Sequence, residues 1–312
     1  MNPFISICIP AFKNYGYLKR LLESIKTQDY SNFEVVITDD SPGDELRDLC
    51  KEYEPFFDLN YYKNDTNLNT PENWNEAVGK AKYEWVKIMH DDDWFTGPRA
   101  LSIFSQAIVA HPAKSFFFSA YQNVYEATGL VEPMKTNLIW QYLLSNNIEI
   151  LISRNVVGPP SVVLYKKSSL AYDASMKYVV DIDFYSRYCA SNEFLFIPDI
   201  LLNVGIHAHQ VTKYTHGVEE IHLKESILML NKKPLSILKN IVVFDGWWRL
   251  IRNFNVKQLE KLTEFGVHTK FIKAFNTIIT IQHQFSQKAL QNGYFSKLIM
   301  VYAYIRYCLF GK

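Results

Sequence analysis

Along the first hundred residues, short apolar runs alternate with stretches whose apolar positions recur every three or four residues. Alternating strand and helix periods of this kind mark βαβ units and predict a mainly parallel sheet. Phe4 to Ile9 reads as a buried strand stopped by Pro10, and Leu18, Leu21, Leu22 and Ile25 then form one helical face. A second strand, Phe33 to Ile37, runs into Thr38-Asp39-Asp40-Ser41-Pro42-Gly43, where carboxylates and turn formers end it. A third strand near Leu59 to Tyr62 precedes a helix reaching Ala81, with Thr70 as expected N-cap and Pro71 as first helical residue. Tyr83 to Met89 is a fourth strand and ends in His90-Asp91-Asp92-Asp93.

After Pro98 the pattern predicts a helix to about Ala110, strands at Ser115 to Tyr121 and Val162 to Tyr165, and helices around Asp181 to Ala190 and Gly217 to Leu230. From Lys232 onward it is helical, with little turn chemistry and no internal repeat. The expected organisation is an α/β catalytic domain over residues 1–225 and a helical region over 226–312. The last apolar run, Leu298 to Ile305 followed by Arg306 and Tyr307 to Phe310, is too short to span a bilayer. Its aromatics suit a helix lying on a membrane surface, and equally a terminal helix packed on its own domain.

Composition narrows the function classes. With 33 basic and 32 acidic residues the net charge is +1, and no polybasic block is present, so nucleic acid is not an expected partner. Cys8, Cys50, Cys189 and Cys308 lie far apart without a CxxC pair, which fits reduced thiols in a cytosolic protein. The N-terminus enters a strand-like run directly, without signal-peptide features. The expected location is therefore cytoplasmic, with peripheral contact at the inner face of the membrane through the C-terminal segment.

The two acidic clusters follow strands, and open α/β sheets bind ligands beyond the carboxyl ends of their strands. Asp91, Asp92 and Asp93 repel one another, and a divalent cation offsets that repulsion while bridging phosphates. A solvated acidic turn capping the next helix has the same local sequence. The first strand is followed by no GxGxxG turn, and GxxxxGK[ST] and GxSxG are absent, which removes dinucleotide enzymes, P-loop proteins and nucleophile-elbow hydrolases.

In order and spacing, Ser6-Ile7-Cys8-Ile9-Pro10-Ala11-Phe12-Lys13-Asn14, Val36-Ile37-Thr38-Asp39-Asp40-Ser41 and Met89-His90-Asp91-Asp92-Asp93-Trp94 resemble the opening of the family 2 glycosyltransferases. These are inverting enzymes of the GT-A fold, a nucleotide-sugar-binding α/β fold. The resemblance covers about residues 4 to 212. It implies that Pro10, Ala11 and Phe12 line the base pocket, with the Phe12 ring stacking on the base. It makes Asp40 a hydrogen-bond acceptor for base or sugar, leaving Asp39 structural, and turns Asn73 and Asn75 toward the donor. It makes Asp92 the ribose or donor-side contact and Asp93 the ligand of Mg²⁺ or Mn²⁺. His90 departs from the family pattern, which has an Asp there, and Trp74 stands where many relatives carry a basic residue.

Val179-Val180-Asp181-Ile182-Asp183-Phe184-Tyr185 resembles the family's second acid segment. Asp181 falls at the general base, with Asp183 in reserve; both acids also suit a helix N-terminus. Leu201 to Thr212 resembles a segment that usually reads Tyr-Arg-x-His, so His207 becomes a candidate metal or diphosphate ligand and Gly205 replaces the Arg; His209 is a weaker candidate. Gly158-Pro159-Pro160-Ser161 resembles the acceptor-side turn. The implied reaction moves a sugar from a UDP- or dTDP-sugar to a hydroxyl of a glycan or lipid-linked acceptor in surface polysaccharide assembly. A catalytically inactive nucleotide- or sugar-binding relative is the alternative.

Overall fold

The computed structural model describes residues 2–207 and 218–310. The chain divides into two compact units, one of Met1–Tyr142, Val156–Met176 and Arg187–Lys213, the other of Leu143–Asn155, Lys177–Ser186 and Tyr214–Lys312. The second unit thus draws two short segments out of the stretch that the sequence assigns to a single domain over residues 1–225. One reason is visible in packing: Ile152 lies against the apolar core of the C-terminal helices.

Among the described residues the first unit has nine strands: β1 Ile5–Ala11, β2 Phe33–Asp39, β3 Asp58–Lys63, β4 Trp85–Ile88, β5 Trp94–Phe95, β6 Phe116–Tyr125, β7 Val131–Met134, β8 Val163–Lys166 and β9 Phe194–Ile206. They form one mixed sheet in the order β3-β2-β1-β4-β8-β6-β9-β5, with β7 paired to β6. β1 to β4 are mutually parallel, as the sequence pattern predicts, while β8 runs antiparallel to β4 and β6. Helices α1 Tyr15–Lys26, α2 Glu45–Tyr53, α3 Glu72–Lys80 and α4 Ala100–Ala110 accompany the strands. The predicted face of α1, Leu18, Leu21, Leu22 and Ile25, is buried.

Several boundaries differ from the sequence reading. Pro10 does not stop the first strand, which continues to Ala11 in register with Asp39. The Cys8 carbonyl accepts from Met89 N–H at the end of β4, and Pro10, two residues on, faces the same way beyond that strand. Its missing N–H therefore breaks no ladder bond. α3 begins at Glu72, one residue after the expected Pro71, and the Thr70–Pro71 peptide is cis. The two-residue β5 and the long β9 carry no distinct local signal; β5 exists because Trp94 and Phe95 find partners in Asn203 and Leu202.

The second unit contains α7 Val218–Asn231, α8 Ile241–Asn253, α9 Leu259–Glu264, α10 Thr269–Gln282, α11 Gln287–Gln291 and α12 Gly293–Phe310; α5 Leu138–Asn146 and α6 Val180–Tyr188 precede them. Its core gathers Phe244, Trp247, Trp248, Phe271, Phe275 and Ile278 with Met300, Ala303 and Tyr307 of α12. Gly246 permits a close approach: a Cβ there would stand 2.2 Å from Ser153 Cβ. The Trp248 indole donates to Ser296 Oγ (3.0 Å), fixing α12 on α8.

One buried acid organises the segment leading into α6. The Glu225 carboxylate on α7 accepts the backbone N–H groups of Lys177 (2.8 Å), Tyr178 (2.7 Å) and Val179 (3.1 Å). A charged acceptor serving three amides is worth more than a neutral one. Glu225→Ala is expected to lower the unfolding free energy by about 3 kcal/mol, read as a fall in the urea midpoint, because three amides lose their acceptor.

Candidate functional site

The carboxyl ends of β1, β2 and β4 collect the sequence-predicted residues of the first unit, and the two acidic clusters differ in role. At the end of β2, Asp39 is enclosed. It accepts from Ser41 N–H (2.7 Å), Tyr61 Oη (2.5 Å) and Lys63 Nζ (3.0 Å). Burial alone would raise its pKa, but these hydrogen bonds outweigh it and hold the carboxyl below its ordinary value.

Asp40 organises the loop after β3, accepting from Asn64 Nδ2 (2.7 Å), Leu68 N–H (3.1 Å) and Asn69 N–H (2.9 Å). A carboxylate offers about four lone-pair positions, so about one remains for a ligand. Asn73 is 5% exposed, and its amide is engaged by Thr38 O (3.2 Å) and Asn64 Nδ2 (3.0 Å), so it braces the loop. Asn75 is engaged likewise, with the backbone of Tyr172. Asn64 and Leu68 also line a cavity of about 500 Å³, together with Tyr62, Thr66, Glu76 and Lys80. Pro10 and Ala11 end β1, and the Phe12 ring that follows is 40% exposed with Lys13 Nζ 4.7 Å from its centroid.

At the end of β4, His90, Asp92 and Asp93 each bring one ligand atom within 4.8 Å of the others. The Ser161 hydroxyl is the hub of this arrangement. It accepts His90 N–H (3.0 Å) and hydrogen-bonds the Asp93 carboxylate, while its carbonyl takes the Lys87 ammonium. Asp93 Oδ1 also accepts Gly205 N–H (3.2 Å) from β9. Asp91 turns to the first strand's loop, where Phe12 N–H (3.4 Å) and Asn14 Nδ2 (3.5 Å) approach its Oδ2.

The electrostatics follow from burial. Burial, reinforced by the charge of Asp92, pushes the Asp91 carboxyl up to about 7 and Asp93 well above the ordinary carboxylate range. It also depresses the His90 imidazole and brings the Lys87 ammonium down to about 7, although Asp93 pulls Lys87 the other way.

These residues fit a divalent cation. Among the described residues His90 Nε2 is buried without a hydrogen-bond partner, and an ion held with Asp92 and Asp93 would engage the imidazole and compensate both acids. Two oxygens and one imidazole nitrogen suit Mn²⁺ at least as well as Mg²⁺.

His207, expected as a ligand, stands one hydrogen bond away: its Nε2 is 3.0 Å from Asp92 Oδ2, and its ring lies 4.8 Å from that of Tyr17. His209 lies outside the described residues. Trp74, lacking the basic group of many relatives, lies against the His90 ring at 4.9 Å. Arg20 on α1 carries no local sequence signal of a role here, because its partners lie far along the chain. Its Nη2 donates to Asp92 O (2.9 Å), its Nη1 pairs with Glu126 (2.9 Å), and its guanidinium stacks on Trp94 at 3.7 Å. Lys87 and Ser161, the latter in the turn that the resemblance gives to the acceptor side, act here as supports; the lysine inside the apolar run of β4 is the sequence signal of this.

Asp181, in the second unit, is the N-terminal acid of α6. Its carboxylate accepts from Asn155 Nδ2 (2.9 Å) and Ile182 N–H (2.9 Å), and burial pushes its pKa up to about 6. Asp183, the reserve candidate, is instead paired with Lys232 Nζ at 2.8 Å. The two acids are therefore chemically distinct: one is poised near neutrality among neutral donors, the other is bound to a cation.

The glycine at the family's Arg position has a steric reason: a Cβ on Gly205 would sit 2.6 Å from Asp92 O and 3.4 Å from Arg20 Nη2. Gly205→Ala is expected to push the Asp92 backbone away and weaken Mn²⁺ binding about tenfold or more, read by titrating the Mn²⁺ electron paramagnetic resonance signal. Wild-type affinity in that variant would show that β9 does not hold the cluster.

Comparison with known proteins places these features in a family. The chain is 28% identical over 305 residues, 94% of its length and 98% of the other's, to a protein of Escherichia coli strain K12 named for colanic acid biosynthesis, glycosyl transferase WcaA. An uncharacterised protein of Mycobacterium tuberculosis is 25% identical over 212 residues, 66% of this chain; the match spans only 60% of that relative's length. Among solved structures, S. aureus TarS superposes with a TM-score of 0.65 at 16% identity, over 97% of this chain and 55% of that one. A mannosyltransferase from Pyrobaculum calidifontis, solved with GDP-Man and Mn2+, gives 0.56 at 12% identity, over 100% of this chain and 88% of that one. These likenesses establish a GT-A-like fold. The model of glycosyl transferase family 2 matches residues 6–161, half of the 312, and takes in β1 from Ser6 onward, the Asp39–Asp40 turn, the His90–Asp93 cluster and Ser161: the chain belongs to that family.

Proposed function

We propose that the chain is an inverting, metal-dependent glycosyltransferase. It moves a sugar from a UDP- or dTDP-sugar to a hydroxyl of a glycan or lipid-linked acceptor in surface polysaccharide synthesis, on the cytoplasmic side of the membrane. The observation that carries this reading is the His90, Asp92 and Asp93 cluster at the end of β4, inside the stretch matched by the family. A nucleotide-sugar donor is supported by the structure of S. aureus TarS 1-349 with UDP-GlcNAc, TM-score 0.61, and by the mannosyltransferase holding GDP-Man and Mn2+. The polysaccharide setting is supported by the name of the E. coli relative.

In this reading the exposed Phe12 ring stacks on the base, Pro10 and Ala11 form the floor beneath it, and the remaining acceptor position of Asp40 takes a donor N–H or hydroxyl. Asn73 keeps the loop around Asp40 in place. Asp93, Asp92 and His90 would hold Mg²⁺ or Mn²⁺, with His207 orienting Asp92, and the bound ion would supply neutralisation of the departing diphosphate. Asp181 takes the proton from the acceptor hydroxyl. That oxygen bonds to the anomeric carbon from the face opposite the diphosphate, whose bond to the carbon breaks. Support for Asp181 over Asp183 is chemical: a pKa of about 6 with neutral donors on its carboxylate, against an acid bound to Lys232.

Hydrolysis of the donor with and without Mn²⁺ tests whether the chain is an enzyme or an inactive binding relative. Asp93→Ala is expected to lose at least about a hundredfold of the Mn²⁺-stimulated rate; equal rates in both proteins would favour the inactive relative.

Asp181→Asn is expected to keep donor binding, measured by calorimetry, while kcat for transfer falls by about a thousandfold. In the wild type at saturating Mn²⁺, kcat should fall as pH drops through about 6, since burial raises the Asp181 pKa and only its ionised form accepts the proton. A flat profile through that range, or full transfer by Asp181→Asn, removes the assignment.

A further inference from the structure

The C-terminal helix α12 carries two faces of different character. Ser296, Met300, Ala303 and Tyr307 are buried in the core of the second unit, and Arg252 Nη1 donates to Ser296 Oγ at 2.9 Å. On the other side Tyr294, Leu298, Tyr302, Ile305 and Leu309 are 90%, 71%, 54%, 50% and 66% exposed. At about 100° per residue these five fall within an arc of about 80°. They form one continuous apolar stripe along the helix, and soluble surfaces rarely leave such patches bare without a use.

The charged residues that α12 itself places at the margins of the stripe are basic. Lys297 and Arg306 lie about 90° to either side of its midline, and the helix contains no Asp or Glu. Tyr304, beside Lys297 on the wheel, donates its hydroxyl to the carbonyl of Lys239, which brings that exposed lysine to the same margin. Lys297 also contacts Asp245 at 3.0 Å, but Asp245 is shared with Arg249 at 3.2 Å, so the margin stays net positive. Among the described residues no helix is long and apolar enough to cross a membrane.

We propose that this face of α12 docks on an anionic lipid bilayer, the helix lying in the interfacial plane. Leu298, Ile305 and Leu309 enter the acyl boundary, Tyr294 and Tyr302 sit at headgroup level, and Arg306, Lys297 and Lys239 meet lipid phosphates. Flanks of balanced charge would fit a partner protein or a second copy equally; margins that are net positive on both sides fit a surface of uniform negative charge. The inference is independent of the transfer reaction.

Flotation of the full chain with phosphatidylglycerol–phosphatidylethanolamine vesicles and with phosphatidylcholine vesicles tests it. The wild type should float with the anionic vesicles, not the neutral ones, and partly detach in high salt. Leu298→Glu combined with Ile305→Glu should reduce partitioning at least about tenfold, and Arg306→Gln about fivefold. Both variants should keep the wild-type Tm and donor turnover, since the substituted positions are exposed. The proposal is overturned if the wild type stays with the aqueous phase, or if the double substitution floats like the wild type. It is also overturned if the wild type is a dimer that the double substitution makes monomeric without any vesicle binding, because the stripe is then a self-interface.

Discussion

Three successive carboxylates at the end of one strand repel each other, and burial makes that repulsion expensive; the first unit is arranged to keep them there. Asp91 is turned toward the loop after β1, Asp92 is held from β9 by His207, and Asp93 is held by Ser161 and Gly205 N–H. No hydrogen bond in this set provides a full positive charge to Asp93, and burial keeps its pKa high. The fold therefore supplies oriented ligands whose charge is incompletely compensated, the condition in which a bound cation contributes most. Gly205 illustrates the constraint, since the approach of β9 to the Asp92 carbonyl leaves no room for a side chain.

The second unit uses the same physics to the opposite end with its two helix-terminal acids. Asp183 is placed beside Lys232 and carries a structural ion pair, while Asp181 is surrounded by neutral donors and is left with a raised pKa. Glu225 holds the backbone just ahead of them, and Lys232, 49 residues from Asp183, supplies the charge that sets the two acids apart. α12 divides its labour similarly: Met300, Ala303 and Tyr307 complete the core, and the opposite stripe remains available to a surface.

The linear chain determined the βαβ order, the α1 face and the position of both acidic clusters, because each depends on periodicities and turn residues that are local. The family motifs likewise lie in contiguous stretches, so the resemblance could assign residues to roles without knowing their neighbours. Tertiary structure alone decided which groups meet. His90, a departure from the pattern in sequence, is a member of the cluster because Ser161 fixes its backbone and Trp74 covers its ring. The supports Arg20 and Ser161 lie about seventy residues from the acids they hold, and hydrogen bonds over such separations leave no periodic trace. β5 and the two segments that join the second unit share that origin, since their conformations are fixed by partners far along the chain.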